Sequence, residues 1–246
     1  MPKPIIINRI IKKYNKKIKV DGDKSLSIRF ALLASQAIGK SKAYNLLKSE
    51  DVESTINCLK KLGVKIRWDK KNNFCLINGN GLNSYVYKNN LTLNGNNSGT
   101  CVRLLTSLLI NSSKKIKITG DKSLSKRDMK RIIDPLTEFG ATFYPKNKYT
   151  LPLYIKGSNY LTPINYLELK GSSQCKSSVM LAALSAPGET QLTCKPSRNH
   201  TELLFKYLKI PIKIKKFKNF EIIKVKGKQN FKAFNYNIPS DISSSA

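Results

Sequence analysis

Apolar positions along the chain switch between helical and strand spacing in an order that recurs three times. Over residues 25–38, Leu26, Phe30, Leu33, Ala34 and Ala37 share one helical face, and Gly39 follows as a stop. A short strand is predicted over 43–47. Ser49 is then placed to cap a second helix. Glu50, Asp51 and Glu53 favour its positive end, Val52, Ile56, Leu59 and Leu62 form its inner face, and Gly63 closes it. Extended segments at 64–68 and 74–77 complete the round. The order begins again after 91–93, with a helix over 100–110, a strand over 115–119, a helix ending near Gly140, and strands at 141–144 and 151–155. It begins a third time after 166–169, with a helix over 173–184, a strand over 190–193, a helix over 199–208, and strands at 210–214 and 220–225. Three βαβαββ units of roughly 70 residues each predict an α/β domain.

Composition narrows the partners without choosing one. The 246 residues are 40% hydrophobic, enough for a substantial core, and 45 Lys+Arg against 15 Asp+Glu give a net charge of +30. Such a charge attracts polyanions, small phosphorylated metabolites and acidic surfaces alike. Because the lysines are dispersed and accompanied by many Asn and Ile, a general compositional bias accounts for the excess as well as any ligand does. The cysteines Cys58, Cys75, Cys101, Cys175 and Cys194 are odd in number and never spaced as C-x-x-C, so free thiols are expected rather than disulfides or a zinc site. The single histidine, His200, excludes a multi-histidine metal site. No apolar run approaches the ~18 residues of a membrane span, and the opening segment is too interrupted for a signal peptide. A soluble, cytoplasmic, monomeric protein with no membrane partner is expected.

Four junctions between a polar turn and a helix carry the candidate chemistry. DGDKSLSIR places Lys24 and Ser25 at a helix start, with Arg29 one turn further along the same face. Backbone N–H groups, a hydroxyl and two cations converge there, as an anion site requires. NGNNSGTCVR brings Asn97, Gly99 and Thr100 into an apolar helix, and Gly99 lets a ligand approach the backbone. GDKSLSKRDM repeats the hexapeptide GDKSLS of the first junction and is expected to set Arg127 at a helix start. LKGSSQCKSS puts Ser172, Ser173 and Gln174 at the next helix start, and KPSRNHTELL adds Ser197 and His200. Taken singly, each junction is equally an ordinary cap with solvated charges, Glu202 a simple N-terminal helix charge, and His200 a structural residue.

The ordered set K-S-x-S-x-R, N-x-G-T-x-x-R, G-D-x-S-L-x-x-R, S-S-Q and S-R-x-H-T-E resembles the 5-enolpyruvylshikimate-3-phosphate synthase family from Asp21 to the last residue. The resemblance implies one domain of the two-domain enolpyruvyl transferase fold, an inside-out α/β barrel. It implies transfer of the enolpyruvyl group of phosphoenolpyruvate to the 5-hydroxyl of shikimate 3-phosphate, with no metal or organic cofactor. By motif position, Lys24 contacts both substrates and moves protons. Ser25 and Arg29 hold the shikimate carboxylate, Ser172, Ser173 and Ser197 the 3-phosphate, and Gln174 and His200 the ring. Asn97, Gly99, Thr100, Arg127, Lys24 and Gln174 form the phosphoenolpyruvate side. Both GDKSLS copies then serve one cleft, the first through Lys24 and Arg29, the second through Arg127. Asp128 stands where many members have proline and places a carboxylate beside Arg127.

The resemblance also implies a division of the chain. Residues 1–20 are expected to be a first strand and crossing segment of the other domain, 21–236 a complete domain of three units, and 237–246 the start of the crossing back. The carboxylate base and the cations that clamp phosphoenolpyruvate are expected in that other domain, leaving this chain a substrate-binding half that is inactive alone. UDP-N-acetylglucosamine enolpyruvyl transferases share the fold and chemistry, but their K-N and reactive-cysteine loop motifs are missing here. A non-catalytic anion-binding domain of the same fold is the other alternative. No aromatic residues interleave with the basic junctions, so no nucleic-acid partner is expected.

Overall fold

The computed structural model describes residues 20–241, together with Lys13 and Asn15. The first strand expected within 1–20 lies outside the described residues. The chain runs through α1 (Lys24–Gln36), β1 (Ile38–Tyr44), α2 (Glu50–Lys61), β2 (Lys65–Asp69) and β3 (Phe74–Asn80). A second round follows: β4 (Leu91–Asn94), α3 (Gly99–Ser107), β5 (Lys115–Thr119), α4 (Lys130–Glu138), β6 (Thr142–Tyr144) and β7 (Leu153–Lys156). The third comprises β8 (Asn165–Glu168), α5 (Ser173–Ala183), β9 (Glu189–Cys194), α6 (His200–Tyr207), β10 (Ile212–Lys216) and β11 (Glu221–Lys226), and β12 (Asn235–Asn237) comes last.

The three sheets have one plan. Their orders are β4-β5-β7-β6, β8-β9-β11-β10 and β12-β1-β3-β2, each with a parallel first pair and antiparallel remainder. The first strand of the first unit is therefore supplied from the far end of the chain, with Lys42, Ala43 and Tyr44 registered against Asn235, Tyr236 and Asn237. The expected boundary at 236 falls inside that strand, and the chain stays attached beyond it. Ile238 N–H donates to Tyr44 O at 3.0 Å, Asp23 N–H to Pro239 O at 2.8 Å, and Asp241 N–H to Asp21 O at 3.1 Å.

Helices α1, α3 and α5 form the centre. Every residue of α1 from Leu26 to Gln36 is buried, as is every residue of α5 from Cys175 to Ala183, and a helix apolar on all sides belongs in an interior. Some of their polar residues are bonded locally or to each other: Ser35 Oγ donates to Leu32 O at 2.6 Å, and the Ser107 and Ser178 hydroxyls lie 2.6 Å apart across α3 and α5. Helices α2 and α4 are two-sided, burying Val52, Ile56 and Leu59, and Ile132, Ile133 and Leu136, while exposing charges. Just past the end of each central helix, a glycine in or directly after β3, β7 or β11 closes on the chain. A Cβ at Gly79, Gly157 or Gly227 would overlap the carbonyl oxygen of Ala37, Ile110 or Ala186, so only glycine allows the sheet so near the helix end.

The elements correct three expectations. Strand β1 starts directly after α1 and includes Gly39, several residues before the predicted start, because Lys40 and Lys42 conceal its buried alternation. Ser49 stands at the N-cap of α2, yet its hydroxyl makes no capping bond and is buried without a partner. Arg127 does not begin a helix: it follows a 3-10 turn over Leu124–Lys126, and α4 opens only at Lys130.

Candidate active site

The N-terminal ends of α1, α3 and α5 are joined by side-chain hydrogen bonds into one polar face. Asp23 caps α1, accepting from Leu26 N–H at 2.6 Å, so Lys24 is the first helical residue and Ser25 the second. One turn down, Arg29 is 4% exposed. Its Nη1 donates to Ser25 O at 3.1 Å, Nε to Thr201 Oγ1 at 2.8 Å and Nη2 to Ser177 Oγ at 2.7 Å. A guanidinium has five N–H groups, so two remain for a ligand. Desolvation lowers the Arg29 pKa to about 10 against the attraction of Glu202 and Asp23, and the group stays charged at neutral pH.

Around α3, two further guanidiniums meet a glycine. Ser98 caps the helix through Cys101 N–H at 3.2 Å, and Gly99 opens it. A Cβ on Gly99 would lie 3.1 Å from Arg103 Nη1 and 3.5 Å from Arg127 Nη1. Arg103 Nη1 donates to Gln174 Oε1 at 2.6 Å, and Gln174 Nε2 donates to Thr100 Oγ1 at 3.0 Å, which fixes the orientation of that amide. Arg127 Nη2 donates to Asn97 Oδ1 at 2.9 Å, while Asn97 Nδ2 donates to Asp121 Oδ2 at 2.8 Å. The Asp128 carboxylate accepts from Lys130 N–H at 2.7 Å, at the start of α4, and its carbonyl accepts from Arg103 Nη2 at 3.1 Å. Asp128 thus has work of its own beside Arg127.

Helix α5 is preceded by a turn held from within. The buried Glu168 carboxylate accepts backbone N–H groups of Lys170, Gly171 and Ser172 at 3.0, 2.8 and 3.1 Å. Ser172 then caps the helix through Cys175 N–H at 3.2 Å, and Ser173 and Gln174 form its first turn. Beside this turn, the Ser197 hydroxyl and His200 Nδ1 are enclosed without a hydrogen-bond partner. Burial, reinforced by Arg29, lowers the His200 pKa below its ordinary 6.5, so the imidazole is neutral at neutral pH. Glu202 is no exposed helix charge. It is 3% exposed and bound to Lys176 Nζ at 2.5 Å. Lys24, half-exposed, lies 3.6 Å from Asp51 at the start of α2.

All the candidate residues fall on this face or the loops bordering it. Sequence reading noted Arg103 as the last residue of N-x-G-T-x-x-R but gave it no role, and it passed over Lys176, Ser177, Thr201 and Glu168. Arg103 lies one turn beyond Gly99 on the same face, which was the signal for its role. Lys176 and Ser177 carried no signal, since a lysine in an apolar helix ordinarily reads as a solvated residue.

Three helix N-termini, three guanidiniums and an ammonium thus gather at one end of a three-unit α/β domain, an arrangement whose charge suits anions. The chain belongs to the EPSP synthase (3-phosphoshikimate 1-carboxyvinyltransferase) family, whose sequence model matches residues 8–246. It is 37% identical over 235 residues to a 3-phosphoshikimate 1-carboxyvinyltransferase of Petrotoga mobilis, covering 94% of this chain and 53% of that protein. It is 42% identical over 231 residues to the protein of the same name from Ruthia magnifica, covering 93% of this chain and 51% of the relative. The solved EPSP synthase of Acinetobacter baumannii superposes with a TM-score of 0.85 at 35% identity, over 94% of this chain and 51% of that one. The chain therefore spans about half the length of the relatives it matches. Among the described residues no helix is long and apolar enough to cross a membrane.

Proposed function

We propose that this chain supplies the shikimate 3-phosphate half of an enolpyruvyl transferase that joins phosphoenolpyruvate to the 5-hydroxyl of shikimate 3-phosphate and releases phosphate. The observation that carries the reading is the gathering of Arg29, Arg103, Arg127 and Lys24 at the joined N-terminal ends of α1, α3 and α5. Two anionic substrates repel each other, and such a face lowers the cost of bringing them together. In this reading Arg29 and Ser25 take the carboxylate, and Ser172, Ser173 and Ser197 the phosphate. Gln174 and His200 lie against the ring. Gly99, Thr100, Asn97 and Arg127 receive phosphoenolpyruvate, and Lys24 exchanges Asp51 for substrate and serves the proton transfer. Residues 1–20 belong to the second domain, and the chain returns to it past 241. The reading carries with it the monomeric, cytoplasmic setting expected from the sequence.

Calorimetric titration of the 246-residue chain with shikimate 3-phosphate, beside an oligonucleotide control, tests it. Saturable binding of the phosphorylated ligand that exceeds binding of the control is expected. Preference for the oligonucleotide overturns the reading.

A further inference from the structure

Among the described residues one lysine is wholly enclosed, and nothing in the proposed reaction uses it. Lys176 lies on α5 one turn beyond Ser173, with no exposed side-chain surface. Its Nζ reaches Glu202 Oε1 at 2.5 Å, Glu221 Oε2 at 3.4 Å and the carbonyl oxygen of Ser197 at 3.2 Å. An ammonium has three N–H donors, and these three acceptors match that number. A buried ion pair is a poor source of net stability, because desolvation offsets the attraction. The third contact is more informative: it fixes the backbone of a residue assigned to the phosphate.

A second contact runs beside it. Ser177, next to Lys176 on α5, accepts from the hydroxyl of Thr201, next to Glu202 on α6, at 2.8 Å. Arg29 binds both partners of that contact. Helices α5 and α6 are thus joined by a two-rung ladder, with the carboxylate subsite on one rung and Ser197 on the other. The Ser197 hydroxyl has no protein partner where it now lies, so turning it toward a ligand forfeits no hydrogen bond. What must be held in advance is the Ser197 backbone, in a stretch between β9 and α6 that has no regular structure of its own.

We infer that Lys176 is a positioning residue for the phosphate subsite: its ammonium, held by Glu202 and Glu221, fixes the Ser197 carbonyl so that rotation of the side chain alone delivers the hydroxyl to the 3-phosphate. The inference rests on the proposed function, and its test separates the two. The Lys176→Met/Glu202→Met pair removes both charges together, leaving Glu221 with Lys216 at 3.9 Å. The 246-residue chain and its variant are titrated with shikimate 3-phosphate and with shikimate, which lacks the phosphate. Affinity for shikimate 3-phosphate is expected to fall about tenfold and that for shikimate by less than about twofold, the loss vanishing in a Ser197→Ala background. Equal losses for both ligands, or none, overturn the inference. Should the pair variant fail to fold, Lys176→Arg keeps the charge between the carboxylates but has a wider head group that displaces the Ser197 carbonyl. It is expected to show the same selective loss, and full phosphate affinity in it overturns the inference. A wild-type chain that does not prefer shikimate 3-phosphate to shikimate defeats the functional reading and this inference with it.

Discussion

Arg29 shows how much of a binding residue is committed before any ligand arrives. Three of its N–H groups are used on Ser25, Thr201 and Ser177, so its head group is oriented at no further entropic cost. Replacing Arg29 by alanine is expected to weaken shikimate 3-phosphate binding by roughly 2–4 kcal/mol, because a desolvated carboxylate loses a charged partner. Calorimetry on the variant checks this, and a change below about threefold removes Arg29 from the carboxylate subsite. Ser173→Ala removes one neutral donor among several and should act in the same direction by about 1 kcal/mol. At His200 the expectation concerns acid. Its folded pKa lies below the ordinary 6.5, so the unfolded chain binds the proton more readily. Stability from this group is complete above 6.5 and declines as pH falls from there toward the folded value. Urea unfolding of wild type and His200→Gln across that interval should show a shallower pH slope in the variant; parallel slopes contradict the assignment.

At the scale of elements, the sequence was most readable where local chemistry and packing agreed. Strand β5 matched its predicted range, and α2 and α4 were visible because one face is apolar and the other charged. Strand β1 was displaced because lysines fill its outward positions, and β12 was not foreseen, since Asn235–Asn237 has neither length nor apolar alternation. The candidate site was legible through its turns, which need serine, glycine and asparagine for reasons local to each turn. Its long-range partners were not, because Arg29–Ser177 and Lys176–Glu221 contacts join residues that only the assembled helices bring together. The three glycines at the helix ends give the element scale its own test. Gly227→Ala forces a methyl group onto the Ala186 carbonyl and should cost about 1–3 kcal/mol in denaturant unfolding. Wild-type stability would show that the third sheet can move away from α5 freely.

For the whole molecule, the proposed division of labour predicts binding without turnover. The face described here is open on one side, and catalysis of this kind requires water to be excluded and further groups brought onto the reacting atoms. Phosphate release from the two substrates should be undetectable with this chain alone and should appear when a separately produced C-terminal domain is added. Robust turnover by the chain alone refutes the divided site.

The place of β12 in the first sheet bears on the order in which a ribosome delivers the parts. Phe234 N–H donates to Ser41 Oγ across 193 positions of sequence, and Lys42 N–H donates to Phe234 O at 3.0 Å. Until that last strand emerges, β1 is a sheet edge with unpaired N–H and C=O groups, while the two later sheets are already complete. Closing so long a loop is slow, so nascent chains of many lengths share one sticky margin. A chain halted at residue 230 should therefore collect in the pellet during translation, and a peptide carrying residues 231–241, added in trans, should keep it in solution by closing that margin.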